Sequence, residues 1–176
     1  MKQTIKSFKM KKLTLLTLTC LFFVWNSFAQ SSSEIIKNFR SLINEAATDF
    51  VNLQLENLGT DSNLNITFHE CSLSLGASME AICYDNDDQT VYYSSKFDYT
   101  NTDELLVAID ILPGILEVVN EMNDSGLYIG RDYTTSDNVY VTELKDLNGN
   151  YIVEIESDDA STFLRITVFG KSWGSK

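Results

Sequence analysis

The stretch Cys71-Ser72-Leu73-Ser74-Leu75-Gly76-Ala77-Ser78-Met79-Glu80-Ala81-Ile82-Cys83 decides the fold. Apolar residues alternate on both sides of a small, flexible centre, which is the pattern of two strands joined by a turn. A hairpin centred on Ala77 sets Leu75 against Met79, Leu73 against Ala81 and Cys71 against Cys83. All six then share one side, because strand side chains alternate with period two. In an oxidising compartment two facing cysteines join, so this register predicts a Cys71–Cys83 disulfide worth roughly 3 kcal/mol in the chain-entropy model. Continued outward, it puts His69 opposite Asp85. Ile66 and Phe68 have the other parity from Cys71, so a bulge or a change of face is expected near His69.

Downstream, Asp85–Gln89 reads as an acidic turn, and Val91, Tyr93, Phe97 and Tyr99 alternate along the next strand of a meander. Upstream, Ile35, Ile36, Phe39, Leu42, Ile43, Ala46, Ala47 and Phe50 recur at three- and four-residue steps, one apolar face of a helix ending near Asp49. Val51, Leu53 and Leu55 then alternate before Gly59. A second helix begins after the caps Asn101 and Thr102 and runs to about Asn123, apolar nearly all round, a pattern that implies burial on more than one side. Pro113-Gly114 in its middle should kink or split it, since proline lacks the N–H donor and clashes one turn back. Four strands follow, near Leu127–Tyr133, Val139–Lys145, Tyr151–Glu156 and Phe163–Phe169, with Asn148-Gly149 as a type I′ hairpin signal. The expected architecture is α+β: a mainly antiparallel sheet of seven or eight strands with two helices packed on it, in the order helix, meander, helix, meander.

The 176 residues suit a single core. The first 12 carry Lys2, Lys6, Lys9, Lys11 and Lys12 and no acid; Leu13 to Trp25 is uncharged and mostly apolar, and Asn26-Ser27-Phe28-Ala29 ends in small residues. That is the three-part pattern of a secretory signal peptide cut after Ala29, too short to span a bilayer. Cys20 is not followed by the polar tether that a lipidated cysteine needs. The sequence thus divides into a signal peptide, 1–29, and one α+β domain, 30–176, exported to the periplasm or beyond the cell. Losing those five lysines takes the charge from −12 to −17. Such a surface repels nucleic acid and anionic membrane and favours cationic partners or divalent metal.

Catalytic and metal motifs are sparse. His69 is the single histidine, and with Asp85 it is the one acid/base pair that the hairpin register brings together. His69, Cys71 and Cys83 on one face would give three zinc ligands but no clear fourth. Asp146-x-Asn148-x-Asn150 matches the start of a calcium loop, yet the sixth position is Tyr151 and the twelfth Ser157, so a plain hairpin turn explains it better. No phosphate loop, dinucleotide fingerprint, nucleophile elbow or Cys-x-x-Cys occurs. No cofactor or metal is expected.

All eight tyrosines lie after residue 30, and Tyr92, Tyr93, Tyr128 and Tyr140 stand in strands where an exposed ring makes good contact surface. The expected function is therefore an exported interaction module that docks a protein or cell-surface partner and does no chemistry. Two alternatives are a carrier of an apolar small molecule held between the second helix and the sheet, and a hydrolase using paired carboxylates.

Overall fold

Eight strands form one antiparallel sheet in the computed structural model, which describes residues 32–158 and 162–174. In chain order the elements are α1 (32–45), β1 (Gln54–Asp61), β2 (Ile66–Cys71), β3 (Met79–Asp85), β4 (Thr90–Asp98), α2 (Thr102–Asp124), β5 (Tyr128–Thr134), β6 (Val139–Asp146), β7 (Tyr151–Asp158) and β8 (Phe163–Phe169). A 3-10 turn, Ala46–Thr48, ends α1, and a second, Lys171–Gly174, follows β8. The strand order is β1-β2-β3-β4-β8-β7-β6-β5. Each helix is followed by a four-stranded meander, and the two meanders meet along β4 and β8, the last strand of each. This is the α+β arrangement expected from the sequence. The expected signal peptide, 1–29, with Cys20, lies outside the described residues. No described helix is long and apolar enough to cross a membrane.

Alternation in the strands decides which face the helices cover. Along β4, Val91, Tyr93, Ser95 and Phe97 are buried, and along β8 so are Leu164, Ile166 and Val168. These share one core with Phe39, Leu42 and Phe50 from the α1 end of the chain and with Ala108, Ile111, Ile115 and Val118 of α2. Both helices therefore pack on the same side of the sheet, and the other side carries no described helix.

Three local expectations are corrected. Pro113 does not split α2, which is continuous from Thr102 to Asp124. The carbonyl left without a donor one turn back belongs to Ile109, a residue 60% exposed, on the solvent side of the helix where an unpaired carbonyl costs little. Nor is α2 buried all round. Its buried positions form one stripe, from Glu104 through Ala108, Ile111 and Ile115 to Val118 and Val119, while Leu106 and Ile109 face solvent. Gly114 lets α1 approach closely, since a Cβ there would meet Ile36 Cδ1 at 2.8 Å. The β6–β7 turn, finally, is not type I′. Gly149 has φ of 88° but Asn148 is not left-handed, so a type I turn ends in a left-handed glycine. Its carbonyl at Asp146 accepts from the Gly149 N–H at 3.0 Å.

The 71–83 stretch also folds differently from the expected hairpin. Phe68 pairs with Cys83 and His69 with Ile82, so the β2–β3 register is three residues away from the one that sets Cys71 opposite Cys83. An odd shift moves one cysteine to the other face. Cys71 packs on the helix side, Cys83 lies on the open side, and both are free thiols. The cause is the connection itself. Residues 72–78 form a loop whose Leu75 is fully buried, with its N–H donating to Glu80 Oε2 at 3.0 Å. The alternation of Leu73, Leu75, Met79 and Ala81 comes from a loop tucked into the core, with no tight hairpin.

Candidate functional site

On the face without helices, three rows of side chains run across the strands. Ladder pairing puts Phe68, Cys83, Tyr92 and Phe169 in one row. The next row holds Ala81, Ser94, Thr167 and Glu154, and the third holds Met79, Lys96, Arg165 and Glu156. Small side chains in the middle and large ones on both sides make a trough of about 910 Å3. From β3 to β7 it crosses three strand spacings, about 14 Å.

The aromatic wall is completed from two places. The turn after β8 sets Trp173 edge-on to Tyr92, with ring centroids 5.6 Å apart, and against Phe169 at 4.8 Å. That turn is tied down by Asp49, whose Oδ1 accepts from the Ser172 N–H at 2.8 Å and the Ser172 hydroxyl at 2.9 Å. On the β7 side, a register shift between Leu144 and Lys145 turns Tyr151 toward the trough, where its ring lies 5.4 Å from Phe169. A bulge of this kind re-aims a side chain without breaking the sheet.

Charge on this face is unlike that of the rest of the chain. Of the seven described Lys and Arg residues, Lys96, Arg131, Lys145 and Arg165 all stand here. Each lies over a ring: Lys96 over Phe163 at 5.3 Å, Arg131 over Tyr133 at 5.2 Å, Lys145 over Tyr151 at 3.9 Å and Arg165 over Phe163 at 5.5 Å. Arg165 also pairs with Glu156 at 2.9 Å and Lys145 with Glu143 at 3.3 Å. Glu154 sits between them, opposite Glu143 on one side and Thr167 on the other, with no hydrogen bond or ion pair to a described residue. Its burial, and then the charges of Glu156 and Glu143, hold its carboxyl above the usual range against the pull of Arg165 and Lys145.

The floor is chemically quiet. Burial pushes the Cys83 thiol up to about 11 and the Tyr92 phenol up to about 12, so neither is a nucleophile near neutral pH. Glu154 and Glu156 are two residues apart on one strand, about 6.6 Å at the usual rise. The Glu154 carboxyl is biased toward its acid form, while Glu156 is ion-paired to Arg165.

The residues singled out from the sequence are dispersed. Tyr92 lines the trough. Tyr93 is fully buried on the helix side, its hydroxyl donating to Glu80 Oε2 at 2.9 Å. Tyr128 packs against the core, and Tyr140, 51% exposed, borders a separate hollow of about 440 Å3 beside Leu112 and Leu116 of α2. The four do not share a face. His69 pairs with Ile82 on the helix side, whereas Asp85 lies on the open side, where its Oδ1 accepts from the Asp87 and Asp88 N–H groups at 3.0 Å. No His69–Asp85 dyad forms. The Asp146 carboxylate is likewise used by its own turn, accepting from the N–H groups of Asn148 at 2.8 Å and Asn150 at 2.9 Å.

Phe68, Lys96, Glu154, Arg165, Phe169 and Trp173 were not legible as a site. The usable signal was β8, where Phe163, Arg165, Thr167 and Phe169 alternate with the purely aliphatic Leu164, Ile166 and Val168. No family model, no curated protein and no solved structure matches this chain.

Proposed function

We propose that this protein is an exported binding module that docks a partner protein in the trough of its open sheet face and does no chemistry there. The observation that carries this reading is the trough itself: an aromatic wall, a floor of small side chains and a charged wall on a sheet face that no helix covers. Exposed aromatic and apolar surface in a concavity of this length suits a protein segment. Cations held over rings and paired to acids are preorganised, so little ordering remains to be done on binding. Export rests on the sequence pattern of residues 1–29 alone.

The test uses two positions on opposite faces, half-buried Ser94 and exposed Tyr140. Tagged protein should recover a partner from its native source; Ser94→Trp, which fills the trough floor, should abolish recovery, and Tyr140→Ala on the helix side should leave it intact. Recovery that survives Ser94→Trp sinks the proposal.

A second reading has one specific observation in its favour. Glu154, whose carboxyl is raised, and Glu156, ion-paired to Arg165, stand on one face two residues apart, and a pair of carboxyl groups is what glycosidases use. A glycan hydrolase of this kind would lose turnover on either Glu154→Gln or Glu156→Gln.

A further inference from the structure

Within the trough reading, on which this rests, we propose that Glu154 is a cation subsite, and that the partner segment carries a lysine or arginine whose charged head enters the trough at the β7 end. The face already matches its own cations: Arg165 has Glu156, Lys145 has Glu143, Arg131 stands opposite Glu143, and Lys96 stands beside Asp98. Glu154 is the one acid of this set with no hydrogen bond or ion pair to a described residue, and it lines the cavity. The groups facing it are Glu143 and Lys145 from β6, Glu156 on its own strand and Arg165 from β8. An incoming ammonium or guanidinium would give it the direct ion pair that Arg165 and Lys145, each paired to another acid, do not. Tyr151 also lines the trough, and cations over rings are how this face treats its own lysines and arginines.

Long-range charge points the same way. The chain is −12 overall, so a basic segment is drawn to it and an acidic one is repelled. The small floor side chains Ala81, Ser94 and Thr167 leave room for an extended segment lying across the strands, with the cationic side chain at its β7 end.

Calorimetric titration with two capped peptides tests the assignment, one alternating lysine with leucine and one alternating glutamate with leucine. The lysine peptide should bind and the glutamate peptide should not. Glu154→Gln should weaken lysine-peptide binding about tenfold or more, the expected loss when one member of a desolvated charge pair is removed. Binding to the unaltered protein should also weaken on acidification, beginning above the usual carboxylate range because the Glu154 carboxyl is raised, and this early part of the loss should be absent in Glu154→Gln. Lysine-peptide binding that survives Glu154→Gln but is lost in Ser94→Trp removes the cation subsite and leaves the trough standing. Binding indifferent to both substitutions overturns the trough as well. A preference for the glutamate peptide, or no lysine-peptide binding, overturns the cation assignment.

Discussion

Gly170→Val should cost about 3 kcal/mol or more, or prevent folding altogether. A Cβ at this position would lie 2.5 Å from Asp49 Oδ1 and 2.7 Å from the Val91 carbonyl oxygen. Neither atom is free to move. The Asp49 carboxylate holds both donors of Ser172, and Asp49 itself is left-handed with φ of 52°. The Val91 carbonyl accepts from the Gly170 N–H at 2.9 Å, while the Val91 N–H donates to the Ser172 hydroxyl. The melting midpoint should fall by about 10 °C, taking 2–4 °C per kcal/mol for a chain of this size. Gly170→Ala separates the two clashes. In an Asp49→Ala background the carboxylate clash is gone, so the double variant should be more stable than the sum of the two single losses predicts. Additive losses would show that Asp49 does not press on this site.

Tyr93→Ala should cost about 4 kcal/mol, the usual loss for emptying a fully buried aromatic position. Tyr93 is among the largest fully buried side chains. Its hydroxyl bonds Glu80, the same carboxylate oxygen that accepts from the Leu75 N–H and so anchors the loop before β3. Burial and the Glu80 charge keep the phenol protonated well beyond any working pH. Tyr93→Phe keeps the ring and removes the bond, so it should cost about 1–2 kcal/mol. Urea unfolding of the two variants reads both effects. Tyr92→Ala, one residue away on the other face, should lose partner binding with little loss of stability. A Tyr93→Ala protein of unchanged stability would contradict the burial that divides these neighbours.

The contrast between these two tyrosines marks how much the sequence disclosed. Strand positions and their order were legible because β4, β6, β7 and β8 alternate cleanly and end in turn residues. Which face each position occupies also followed inside a strand, since parity is fixed there. It did not carry across the 72–78 loop. Leu75 satisfies the alternation of a strand while being buried as a loop residue, and an odd register error reverses every face assignment beyond it. The same limit hid the trough. Its rows join β2, β3, β4, β8 and β7, and the β4–β8 pairing brings together strands separated by α2 and three others. Trp173 gave no sequence signal either, because long-range contacts of Ser172 with Asp49 and Val91 place that turn. Pro113 misled for a different reason, namely that its cost depends on whether the Ile109 carbonyl faces water.

The most direct test of the trough as the docking site is an NMR titration of the protein with its recovered partner, following amide, methyl and indole signals. Shifts concentrated at Ala81, Ser94, Thr167 and the Trp173 indole, with Leu106 and Ile109 of α2 unmoved, are the predicted result. Shifts at Leu106, Ile109 and Tyr140 with the trough signals unchanged would place the partner on the helix side and contradict it.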